Sequence, residues 1–150
     1  MDWLIDIFTN PFLLTSLSSW FIAQLLKVII NFCIYKKIIW ERLVGDGGMP
    51  SGHSATVSSL AVFSGLVCGF DTFQFAATAI LAVIVCHDAT GVRHETGKQA
   101  QILNEIIQIL ESKELPEVKL KELVGHTPLQ VVAGVLIGIG NALLMHAVLM

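Results

Sequence analysis

The run Met49-Pro50-Ser51-Gly52-His53-Ser54-Ala55 places a titratable imidazole in the first turn of a helix that leads straight into an apolar stretch. Pro50 lacks an N–H and suits a first helical position, and Ser51, Gly52 and Ser54 leave backbone donors open to a close ligand. Gly45-Asp46-Gly47-Gly48 just before it allows a sharp entry. Such a helix start fits a phosphate. Further along stand His87, Asp88, Arg93, His94 and His126, all beside apolar segments. Phosphoryl transfer needs a nucleophile, a group that protonates the leaving oxygen, and fixed positive charge around the equatorial oxygens. His126 and His53 supply the first two. Arg93 offers a planar fork that matches phosphate, and Lys27 or Lys36 adds a point charge. Pro50 and Pro128 mark helix starts whose backbone donors would aim at the same place. The plainer alternatives are interfacial histidines that bond backbone carbonyls, and a Lys27 that snorkels to the nearest membrane surface.

The elements that must position these residues are membrane spans. Of the 150 residues, 54% are hydrophobic and 14% charged, with a mean hydropathy of +0.72, far from a soluble domain. Four segments can cross about 30 Å of hydrocarbon at 1.5 Å per residue: Phe12 to Tyr35, His53 to Phe70, Thr72 to Gly91, and Thr127 to about Met150. The fold class expected is all-α, a polytopic membrane helix bundle forming a single domain over 1–150. Met1 to Asn10 lacks the basic start of a secretory signal, so the first span is read as retained.

Lys36, Lys37 and Arg42 follow span one, and Arg93, Lys98, Lys113, Lys119 and Lys121 lie between spans three and four. Four spans put both groups on one side, cytoplasmic by the positive-inside rule, in a membrane of the bacterial cytoplasmic type. His53, His87, Asp88, Arg93, His94 and His126 all fall on that face. Ionisable groups at membrane depth are expensive, so Lys27, His87 and Asp88 call for partners or water. Between Gly97 and Glu114, Ile102, Leu103, Ile106, Ile109 and Leu110 recur at helical spacing, which predicts an amphipathic helix on the cytoplasmic side. A short charged helix over 117–124 then leads to Gly125-His126-Thr127-Pro128. Trp3, Leu4, Ile5, Ile7 and Phe8 form an interfacial lead-in closed by Asn10-Pro11.

Ser54, Ser58, Ala61, Gly65 and Gly69, with Gly134 and Gly138, make small-residue stripes of the kind that let helices approach closely in lipid. They could serve one chain or a homodimer. Cys33, Cys68 and Cys86 are odd in number, lack metal-ligand spacing and read as free, packed thiols. A net charge of −3 and no basic cluster with interleaved aromatics argue against a nucleic-acid partner. His146, in the last span on the far side, reads as structural.

These residues resemble a family. Pro50-Ser51-Gly52-His53 matches the PSGH motif of the type 2 phosphatidic acid phosphatase and vanadium haloperoxidase superfamily, and Gly125-His126 through Val131-Val132-Ala133-Gly134 resembles its third motif. The chain as a whole looks like the divergent branch described as acid phosphatase/vanadium-dependent haloperoxidase-related. The matching pieces are Gly47 to Ala55, Asp88-Ala89-Thr90-Gly91-Val92-Arg93, Gln99-Ala100 with Leu103-Asn104, and Gly125-His126-Thr127-Pro128. The resemblance implies a phosphohistidine formed on His126, His53 as acid to the leaving group, and no required metal or other cofactor. An aspartate four residues after the nucleophile would orient it. Here that position is Gln130, which can hold a ring by hydrogen bonding but does not stabilise an imidazolium as a carboxylate does. Asp88 and Asp46 are the acids available to take its place. The Ser-Arg pair expected six residues before the nucleophile is replaced by Lys119-Leu120, and the first parent motif, a lysine with Arg-Pro seven residues later, is absent.

The leading reading is therefore a membrane hydrolase for a phosphate monoester, a lipid phosphate among the candidates. Its catalytic residues are His126, His53 and Asp88, and Lys27, Arg93, Ser51, Gly52 and Lys36 bind the substrate. The alternative is a non-catalytic membrane protein that binds or moves a phospholipid or other phosphorylated ligand, which Gln130 favours. Haloperoxidase chemistry on bound vanadate is a third reading, for which no halide site is visible.

Overall fold

The computed structural model describes residues 2–36, 48–110, 120 and 125–150, and among them all regular structure is helical. The helices are α1 (Asp2–Thr9), α2 (Pro11–Tyr35), α3 (Gly52–Cys68), α4 (Phe73–Thr90), α5 (Val92–Leu110) and α6 (Pro128–Leu149). Polar caps set the boundaries within an otherwise apolar chain. Asn10 Oδ1 accepts from Phe12 N at 2.9 Å and Leu13 N at 3.3 Å, with Pro11 opening α2. Thr72 caps α4 through Phe75 N. Lys36, in a left-handed conformation (φ 54°), ends α2, and Gly69 (φ 100°) ends α3.

Three helices are long and apolar enough to cross a membrane: α2, α4 with its continuation into α5, and α6. The fourth expected span is the shorter apolar helix α3, of 17 residues. Two expectations shift here. Pro50 does not open the helix, because Ser51 is the N-cap and the first helical residue is Gly52. The amphipathic helix begins at Val92 rather than near Gly97, since Gly91 alone separates it from α4. The charged helix expected over 117–124 lies outside the described residues, Leu120 excepted, as do Lys37, Arg42 and Asp46.

The packing inverts the soluble pattern. Large apolar side chains such as Phe21, Ile29, Ile80, Val83, Leu136 and Leu144 face outward, while Thr15, Ser19, Gln24, Lys27, Ser54, Ser59 and Asn141 are buried. Lipid surrounds such a molecule as happily as a leucine neighbour would, so its helices associate through close contact and hydrogen bonds. Gly134 abuts the Ser51 carbonyl, and Gly138 abuts Ser58 and the Ala55 carbonyl; a Cβ at either would collide with α3. Close approach, the plainer reading of that stripe, is what these two glycines provide. Ser58 Oγ also reaches Val135 O at 3.4 Å. At the other end, the amide nitrogen of Asn141 meets Thr15 O (3.0 Å), Ser18 Oγ (2.9 Å) and Ser19 Oγ (2.7 Å), which ties α6 to α2. These contacts run α3 parallel to α6 and both antiparallel to α2. Phe63 packs edge-on against Phe12 and His146, an arrangement that gives His146 a packing role.

Candidate functional site

The site is built where the start of α3, the end of α4 and the start of α6 meet. Ser51 caps α3: its hydroxyl accepts from Ser54 N at 3.3 Å and from Ser54 Oγ at 2.9 Å, and its own N–H donates to Gln130 O at 3.0 Å. The two motifs are thereby bonded directly to each other. Ser51 is fully buried, and Gly52 lies against the Trp20 indole, so both residues seat α3 rather than line an open cavity. The next residue, His53, is exposed and lines such a cavity.

Its volume is about 210 Å³, and its lining is His53, Ile84, Val85, Asp88, Ala89, Arg93, Gly125 and His126. Four of the residues singled out by sequence therefore share one space, although 73 positions separate His53 from His126. His126 arrives there because its backbone N–H donates to Ala89 O at 3.0 Å, docking the entry to α6 onto the last turn of α4. Arg93 Nε donates to Asp88 Oδ2 at 2.6 Å. Asp88 thus serves the guanidinium, and the residue on His126 is Gln130.

That last contact fixes the imidazole. Gln130 Oε1 accepts from Thr127 N at 3.1 Å, and because a backbone N–H can only meet the oxygen of an amide, the amide orientation is set. The same oxygen lies 3.3 Å from His126 Nδ1. An oxygen without a proton requires Nδ1 to carry one, which leaves Nε2 with the lone pair in the neutral ring. The substitution that departs from the parent pattern therefore keeps the geometric half of the aspartate's role.

His126 is 3% exposed, and its pKa is lowered from the ordinary 6.5. Desolvation by burial is the main cause; the charges of Lys27 and His53 act the same way, and hydrogen bonds to Gln130 and the Gly48 backbone oppose them. Lys27 is itself 2% exposed and close enough to be felt by the imidazole. Lys36 lies apart, exposed at the end of α2. His87 is exposed on a different side of α4 from the cavity-lining Ile84, Val85 and Asp88. Asp46 lies outside the described residues.

The sequence placed Gln130 at the orienting position but left Asp88 and Asp46 open as substitutes, and it missed the apolar wall of Ile84 and Val85 and the Asn141 junction. A lone asparagine inside a 22-residue apolar helix was the available signal for the junction.

A model of the divergent PAP2 family matches residues 8–141, and the chain belongs to that family. It is 41% identical over 146 residues to the "uncharacterized membrane protein YuiD" of Bacillus subtilis (strain 168), across 89% of this chain and 92% of that protein. No solved structure matches it. The chain is a membrane protein of this family.

Proposed function

We propose that the protein is a phosphatase of the membrane, hydrolysing a phosphate monoester through a phosphohistidine at the cytoplasmic interface. The observation that carries this reading is the meeting of His53, Arg93 and His126 around one cavity, with Gln130 Oε1 on His126 Nδ1. His126 Nε2 attacks phosphorus, the P–O bond to the leaving group breaks, and the departing oxygen takes a proton from His53. Water then attacks phosphorus with His53 accepting its proton, the P–N bond to His126 Nε2 breaks, and inorganic phosphate leaves. Arg93 presents its remaining N–H groups to the phosphoryl oxygens while Asp88 holds Nε, and the buried Lys27 adds positive charge nearby. Burial favours the neutral, nucleophilic state of His126.

The test is phosphate release from an aryl phosphate and from lipid phosphates by detergent-purified protein. His126→Ala and His53→Ala should each lower the rate by about a hundredfold or more, the scale of a lost nucleophile or acid. Mutant rates equal to wild type would reject the site.

A second reading, binding without turnover, draws support from the amide at position 130 and from the carboxylate that shares the cavity with Arg93. It would be favoured by an inactive wild type that binds orthovanadate and loses that binding in Arg93→Ala.

A further inference from the structure

The Gln99-Ala100 and Leu103-Asn104 pieces of the sequence have no part in the site described above. Most of α5 is exposed, but Gly97, Ala100 and Asn104 are buried along one side of it. Asn104 is 6% exposed, and both ends of its amide engage one distant residue: Nδ2 donates to Leu120 O at 2.9 Å, and Oδ1 accepts from Leu120 N at 2.9 Å. A buried amide that satisfies the N–H and C=O of a single residue grips the backbone whatever the side chain there. Leu120 belongs to the connection that delivers His126 to the cavity.

We propose that Asn104 is a positioning residue for His126: by gripping Leu120 it tethers the backbone six residues before the imidazole that docks on Ala89. The inference rests on reading His126 as the reacting group. Between α5 and His126 lie residues 111–125, of which only 121–125 follow the grip. The probability that a chain brings its ends together falls as the three-halves power of its length, so a tether threefold shorter holds its end about fivefold more effectively.

The measurement is amide hydrogen exchange, by NMR on the full chain in micelles. In Asn104→Ala, protection of the His126 N–H, which is bonded to Ala89 O, should fall about fivefold. The Ser51 N–H, bonded to Gln130 O, should keep its protection. Asn104→Asp retains the acceptor for Leu120 N but loses the donor, so its loss should be smaller. Unchanged protection at His126 in both variants, or an equal fall at Ser51, would overturn the proposal, the latter because it reports general loosening. Orthovanadate is added as a separate arm. Renewed protection of His126 in its presence supports the anion reading of the cavity; none counts against that reading and leaves the exchange comparison between variants to decide the role of Asn104.

Discussion

At the scale of single residues, the decisive group is Gln130. Sequence alone marked it as a defect in a phosphatase motif, since an amide cannot balance a developing imidazolium. What could not be read was that the same side chain is anchored by the Thr127 N–H, 3.1 Å away, and so is compelled to present oxygen to His126. The identities of His53, Asp88, Arg93 and His126 were legible because ionisable groups are conspicuous in an apolar chain; the pairing of Asp88 with Arg93 rather than with His126 was not, being a matter of side-chain direction. The geometry makes a pH prediction with a definite sign. A nucleophilic His126 must be neutral, and burial lowers its pKa, so the acidic limb of kcat/KM should lie below 6.5. Gln130 opposes that lowering. Gln130→Leu should therefore move the limb further down, and Gln130→Glu, by placing a negative charge beside Nδ1, should move it up. A pH–rate series on the three proteins checks both directions, and a limb that stays fixed in both variants would disconnect Gln130 from the titrating group.

At the scale of helices, caps and glycines explain most of what was predictable. Asn10-Pro11 announces the start of α2, and the small-residue stripes announce close helix contact, both independent of what surrounds the chain. The start of α5 was misplaced because Gly91 looks like a terminator, whereas the helical path resumes one residue later. Gly134 and Gly138 face α3, while Gly140 has open space where a Cβ would go. Gly138→Ala should cost about 1–3 kcal/mol by overpacking against the α3 backbone, and Gly140→Ala should cost nothing. Thermal denaturation in micelles compares them; equal midpoints would deny that α3 and α6 are in the described contact. Asn141→Leu should also destabilise, by about 1–2 kcal/mol, because it deletes the hydrogen bonds to α2 in a medium that offers no substitute.

At the scale of the whole molecule, composition was enough to establish a membrane helix bundle, and its polar interior explains why periodicity was a weaker guide. Helices α2 and α3 bury serines, α6 buries glycines and an asparagine, and α2 and α6 expose leucines, so apolar stripes mark the outside. The clustering of Lys and Arg predicts orientation: a cysteine at Gln101 on α5 should be labelled by an impermeant maleimide only from the cytoplasmic side, and one at Asp71 only from the other. The reverse pattern would turn the molecule over. The unequal helix lengths carry a further consequence. With 17 residues, α3 is about 25 Å long, against about 37 Å for the 25 residues of α2 and about 30 Å of hydrocarbon. His53 stands at the end of that short helix, so the bilayer must pinch there or admit water into a well. Membrane thickness thus becomes a variable acting on the site: lipids with shorter acyl chains would relieve the mismatch, and thicker bilayers would bury the mouth of the cavity.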